Sequence, residues 1–295
     1  MKFKSVISKV IILSLSLSII LTVFTESTVL ADSFKSVTIG ADLSNSQKEE
    51  MLKYFGVTKN DANILEITSK EEHTYLGKIA SESQLGNKSI SCAYVEPTEK
   101  GGLIVTTNNL TWVNDGMIKN ALITAGIQNA NVKASAPFKV SGTAALTGIL
   151  KGFENSSTGK KIDENKKEAA NQELVTTGDI GEKIGQTDAT NLMNNMKKDV
   201  IKEKPKTKEE INKIVDKATE EYKTKLSDED IDNIKTVMSK IKDLDLNYDT
   251  LKDQLNDVTN QLKDKLSSAE AKGFFARIEE LFTNLLDKVK NSISK

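Results

Sequence analysis

Residues 109–132 read Asn109-Leu110-Thr111-Trp112-Val113-Asn114-Asp115-Gly116-Met117-Ile118-Lys119-Asn120-Ala121-Leu122-Ile123-Thr124-Ala125-Gly126-Ile127-Gln128-Asn129-Ala130-Asn131-Val132. Ile118, Ala121, Leu122 and Ala125 fall at helical spacing between Asp115 and Ala125. Gly126 then ends the helix, because glycine accepts the left-handed backbone of a C-terminal cap. Leu103–Thr107 before the helix and Val132–Ala136 after it read as strands, and Thr143–Phe153 as a further helix. An earlier stretch has the same order. Val37–Ala41 is a strand, Asp42-Leu43-Ser44 leads into a helix from Ser46 to Phe55, and Gly56-Val57 ends it. Ala62-Asn63-Ile64 then opens a strand to Thr68, followed by a helix over Glu71–Ala80. Two βαβα units sharing one small mixed sheet, a duplication, account for the match, with the helices covering the sheet. Ser89–Val95 adds a strand joined to Leu103–Thr107 through Pro97 and Gly101-Gly102, the pattern of a hairpin.

Outward from this region, glycine divides the chain. Thirteen of sixteen glycines lie between Gly40 and Gly178, and none lies between Gln186 and Lys272. Long helices follow from such a composition. Residues 154–206 are expected to form a polar turn and then a helical connector broken by Gly178, Gly181 and Gly185, adding little bulk to any core. Beyond Pro205 the stripes sharpen. Ile211, Ile214, Val215, Ala218, Tyr222 and Leu226 make the first, and Ile231, Ile234, Met238, Ile241 and Leu244 the second, with Ser227 as its N-cap. Leu251, Leu255, Val258, Leu262 and Leu266 make a third, and Ile278, Leu281, Phe282, Leu285, Val289 and Ile293 a fourth. The fold class is therefore α+β: an α/β domain over residues 32–153, a helical connector over 154–206, and an all-α module over 207–295, a bundle or hairpin stack. The two halves are expected to separate near 154–206.

The first 31 residues have the grammar of an export signal. Lys2, Lys4 and Lys9 precede the apolar run Val10–Phe24, and Val29-Leu30-Ala31 offers a cleavage site that would leave Asp32 first. The run is short for a spanning helix, so no transmembrane span is expected after cleavage. A net charge of −1 gives no global drive toward nucleic acid or an anionic membrane. Cys92 is the only cysteine, so no intramolecular disulfide forms, and its strand setting suits a buried small hydrophobe.

Three segments carry a family resemblance: Ser91-Cys92-Ala93-Tyr94-Val95-Glu96-Pro97-Thr98, Asn109-Leu110-Thr111-Trp112-Val113, and Met117–Ile127. Val140–Gly148 and Glu173–Gly178 extend it, from about Thr38 to Leu255. The chain resembles the YpuA-like family of secreted proteins from Gram-positive bacteria, whose domain is catalogued as of unknown function. The resemblance implies an exported protein, associated with the cell envelope or released from it, and transfers no catalytic residue.

Motifs for chemistry are few. His73 is the only histidine, so any histidine triad or histidine metal ligand would run through what reads as a surface helix start. Asp228, Asp230 and Asp232 imitate a calcium loop, but Asn233 stands where glycine is needed and Ser239 where a bidentate glutamate belongs. Asp243, Asp245 and Asn247 fail in the same way. Ser157-Thr158-Gly159-Lys160 has a serine-to-lysine spacing without its partner motifs. Trp112 reads as a core anchor rather than a sugar platform. Ser141, Gly142 and Thr143 follow a strand and open a helix, where backbone N–H groups can hold an anion, and they are the candidate binding residues. No cofactor and no metal site is expected. The expectation is an exported, non-enzymatic binding or structural protein with an unidentified envelope or extracellular partner. The alternative is a secreted hydrolase of envelope material acting through carboxylates alone.

Overall fold

In the computed structural model, which describes residues 35–265, a five-stranded mixed sheet has the order β2-β1-β3-β5-β4. The strands are β1 (Ser36–Gly40), β2 (Asn63–Ile67), β3 (Cys92–Pro97), β4 (Leu103–Leu110) and β5 (Ala130–Val140). Helices α1 (Asn45–Phe55), α2 (Ser69–Leu76), α3 (Glu82–Leu85), α4 (Asp115–Thr124) and α5 (Thr143–Glu154) alternate with them. Both strand–helix–strand units pair in parallel as read: β1 with β2, from Ser36↔Asn63 to Gly40↔Ile67, and β4 with β5, from Leu103↔Ala130 to Asn108↔Ser135. Local chemistry sets their ends. Ser44 and Gln47 form a capping box on α1, and Asn114 caps α4 by accepting from the Met117 amide at 2.8 Å. Thr68 and Glu71 cap α2 in the same way; the helix expected over Glu71–Ala80 stops at Leu76, and a separate short turn forms α3.

The hairpin expected between β3 and β4 does not form. β5 lies between them, antiparallel to β3 and parallel to β4, so the Thr98–Gly102 connection steps over a strand. Parallel pairing of β4 with β5 across α4 fixes that place.

The two faces of the sheet are covered differently. Val37, Ile39, Cys92 and Tyr94 point to one face and pack with Met51, Leu52 and Phe55 of α1 in a small core. Val95, Ala93, Val105, Val132 and Ala134 point to the other face, against α4 and α5. Both units step the same way along the sheet with parallel strands, yet α1 and α4 lie on opposite faces. Their crossovers are therefore of opposite hand.

The helices that follow are α6 (Glu164–Ile184), α7 (Gln186–Glu203), α8 (Lys208–Ala218), α9 (Asp228–Asp243) and α10 (Tyr248–Lys265). α6 runs without a break through Gly178 and Gly181, and of the three expected interruptions only the one at Gly185 is present. Gly178 is there for space: a Cβ at this position would lie 2.2 Å from the Trp112 ring. Nor is 154–206 poor in core. Leu174, Val175, Ile180, Leu192, Met193 and Met196 are all buried, in one cluster with the sheet and the later helices. α4 is correspondingly buried on every side from Gly116 to Thr124, not on one face as its spacing suggests. Ile211, Ile214, Val215, Ala218, Tyr222 and Leu226, then Ile234, Met238 and Ile241, then Leu251, Leu255 and Val258, bury as the stripes predict. The leader, Leu266 of the third stripe and the fourth stripe, Ile278 to Ile293, lie outside the described residues. No helix among the described residues is long and apolar enough to cross a membrane.

Candidate functional site

A cavity of about 520 Å³ opens at the end of the sheet, between the turn after α4, the start of the β3–β4 connection, and the segment joining α5 to α6. Its floor is tied down by backbone geometry. Gly126 takes φ 82° and lets Ile127 turn back into the core. Asn129 Oδ1 accepts from the Gly102 amide at 2.9 Å, and its carbonyl accepts from the Thr98 amide at 3.2 Å.

The rim is fixed at both ends. Ser156 Oγ donates to the Phe153 carbonyl at 2.7 Å, and Glu154 Oε1 accepts from the Ile162 amide at 2.9 Å and from Lys167 Nζ at 3.2 Å. Asp163 caps α6, accepting from the Asn165 and Lys166 amides at 3.0 and 3.3 Å. Between these anchors Lys160 and Lys161 stand exposed. Lys166 reaches back over the turn, its Nζ 3.4 Å from where a Gly126 Cβ would be. There it meets the C-terminal, electronegative end of α4. None of these three lysines forms an ion pair with a described residue. Of the two acids on the rim, Asp163 is committed to its cap and Glu99 is exposed.

Ser141, Gly142 and Thr143 do open α5 after β5, with Gly142 at φ 98°. Their polar groups are engaged from within. Ser141 Oγ donates to the Gln84 carbonyl at 2.9 Å, and the Thr143 hydroxyl donates to the Glu72 carboxyl. Glu72 is fully enclosed, and burial pushes its pKa up to about 7 against the pull of the Thr143 hydroxyl and the neighbouring His73. His73 itself contacts the Ser69 carbonyl at 2.7 Å and Glu82 at 3.4 Å on the surface. Nothing in Glu71-Glu72 tells by pattern which carboxylate turns inward.

The remaining sequence motifs fall elsewhere. Trp112 is 6% exposed against α6, and Cys92 is enclosed under α1, its thiol pushed up to about 11 by burial. Asp230 caps α9 with Ser227 and pairs with Lys183 at 2.6 Å. Thr158 and Lys160, from the Ser157–Lys160 segment, line the lysine groove.

Two polar clusters have no signature in the sequence. Lys197 of α7 is fully buried and donates to Glu173 of α6 at 2.8 Å and to the Asn120 carbonyl of α4 at 2.8 Å. Thr124 completes the set, donating to Glu173 at 2.5 Å. Burial draws the Lys197 pKa down, and Glu173 opposes it. One turn apart on α7, Asp199 and Glu203 are both pushed up, Asp199 to about 7, by burial first. Neither lines the groove.

The chain belongs to the family described as "Protein of unknown function (DUF1002)", which matches residues 39–258. It is 39% identical over 255 residues to the uncharacterized protein YpuA of Bacillus subtilis (strain 168), covering 86% of this chain and 87% of that one. No solved structure matches it.

Proposed function

We propose that this is an exported, non-enzymatic binding protein that acts outside the cell or at the cell envelope and holds an acidic partner in the groove at the end of the sheet. One observation carries the reading: Lys160, Lys161 and Lys166 surround one cavity without a carboxylate partner among the described residues, in a chain whose net charge is −1. Ammonium groups left unpaired on a fixed rim favour a ligand that brings its own negative charge. The residues 1–31 pattern supports the place of action. The competing hydrolase needs two acids converging on bound substrate. The groove offers Asp163, already held by amides of α6, and Glu99.

The test has two parts. Mass analysis of the culture supernatant should find a chain beginning at Asp32; a chain retaining Met1 in the membrane fraction would refute cleavage and release. Purified protein should sediment with isolated envelope at low salt and release as salt rises. The Lys160→Gln/Lys161→Gln/Lys166→Gln variant should stay in solution, and its unchanged retention would refute the groove as the contact.

A further inference from the structure

The lysine groove does not end at Lys166. Asp163 and Lys166 also line a second cavity of about 600 Å³, whose far wall is Lys240 and Asp243 of α9. Lys240 and Asp243 in turn line a third, of about 280 Å³, with Lys235 of α9 and Lys208 at the start of α8. The three depressions are neighbours, each sharing two wall residues with the next, from the end of the sheet across the start of α6 onto α8 and α9, and together they form a track.

Lys160, Lys161, Lys166, Lys240, Lys235 and Lys208 follow one another along it. Acids also lie on the way and keep their charge: Glu168 is paired with Lys240, Asp243 with Lys242 at 2.8 Å, and Asp163 accepts from the amides at its cap. Lys240 and Lys235 carry partners, the latter Asp216 at 2.8 Å. Both pairs are at the surface, where an ion pair contributes little and exchanges readily.

We infer that this track binds a linear polyanion, a flexible chain with a negative charge on successive repeats and no bases. The inference rests on the binding role proposed above and deepens it. A small anion would be satisfied within one cavity, whereas three neighbouring cavities, each with lysines in its wall, fit a chain. Every cation on the track is a lysine, a compact point charge that contacts single phosphate or carboxylate groups without the planar fork of arginine. Bases would call for stacking faces, and the one aromatic side chain on the track is the half-buried Phe153.

The experiment titrates the purified protein with tripolyphosphate and with a polyphosphate of about thirty repeats, at several salt concentrations. Two variants accompany it: the near-end Lys160→Gln/Lys161→Gln/Lys166→Gln and the far-end Lys208→Gln/Lys240→Gln, each checked for the parent's thermal midpoint. The long chain should bind at least about tenfold more tightly than tripolyphosphate. Each lysine removed should flatten its salt dependence by about 0.7 in log–log slope. Near-end changes should weaken both ligands, and far-end changes only the long one. Equal binding of both ligands, with the far-end variant unaffected, would overturn the track and leave the local groove standing. No binding of either phosphate would overturn the track, unless poly-glutamate binds with the same dependence on both lysine sets, which would place the source among carboxylate polymers. If poly-glutamate also fails, the acidic-partner reading falls with the track. Tighter binding of a single-stranded oligonucleotide than of polyphosphate would overturn the exclusion of bases.

Discussion

The two strand–helix–strand units follow one order in sequence and end in different surroundings. α1, in the first, closes a core of ten buried residues that is complete between one helix and one face of the sheet. α4, in the second, covers the other face and is itself walled in by α6, α7 and α10, so its core continues to Val258. The polar residues record the difference. α1 turns its charged side chains outward, as Lys48 does toward Glu66 on the surface. α4 carries Lys119, Asn120 and Thr124 inside, where each must find a partner: Asp257, the Thr190 carbonyl and Glu173. A repeated pattern thus sets local structure, while the long-range partner decides what each copy is for. The first unit closes a face; the second joins the sheet to the helices.

The largest way to break this contrast is to strip the partner from the buried lysine. Glu173→Leu should destabilise the protein by about 3–5 kcal/mol, because Lys197 would remain buried and unpaired. Adding Lys197→Met should recover most of that loss. Denaturant unfolding of the parent and the two variants measures both, and a loss under about 1 kcal/mol for the single change would show that the junction does not depend on the pair.

Acid provides the second handle, with one group near the sheet and one among the helices. Glu72 and Asp199 have folded pKa values of about 7, above their unfolded values. A carboxyl raised in this way stabilises fully below its unfolded pKa and loses that contribution as pH rises through the folded value. Between about pH 4 and pH 7 each should therefore withdraw about 3–4 kcal/mol. The expected outcome is that Glu72→Gln/Asp199→Asn gains stability relative to the parent as pH rises over this window. A parent–variant difference that is flat with pH would contradict the burial of these groups.

Gly178→Ala tests the same junction sterically. Its methyl would collide with Trp112, at a cost of about 1–3 kcal/mol and with a changed tryptophan emission. On the other side of the comparison, Ser44→Ala removes one half of the α1 capping box and should cost about 1 kcal/mol, without altering that emission. If Ser44→Ala instead shifts Trp112 emission, the two faces are coupled more closely than their separate cores imply.

Much of the sheet was legible because its signals are local. Gly56 and Gly126 end helices where left-handed backbone is required, Ser44 and Ser227 start them, and β1, β2, β4 and β5 alternate with the helices as read. The place of β5 was not legible, since a Pro-Gly connection looks alike whether it makes a hairpin or steps over a strand. The continuity of α6 was hidden by Gly178 and Gly181, which read as breaks; Gly178 in fact makes room for an indole sixty-six positions away in sequence. Of the site, Ser141–Thr143 was found as a helix start, but the carboxyl at its hydroxyl, Glu72, comes from another element. The lysine groove could not be seen, because Lys160 and Lys161 lie in an ordinary polar turn and Lys166 in a helix among many other lysines. Only the fold brings them around one cavity.

We expect α4, α6 and α7 to unfold as one cooperative unit with the sheet, because α4 packs against both later helices. Native-state hydrogen exchange over a series of denaturant concentrations tests it most directly. Buried amides of α4, α6 and α7 should exchange only through global unfolding, all with the same free energy and denaturant dependence, while those of α1 open at a lower free energy. Amides of α6 and α7 opening well below those of α4, with the sheet still protected, would show that the sheet and the helices are separate domains.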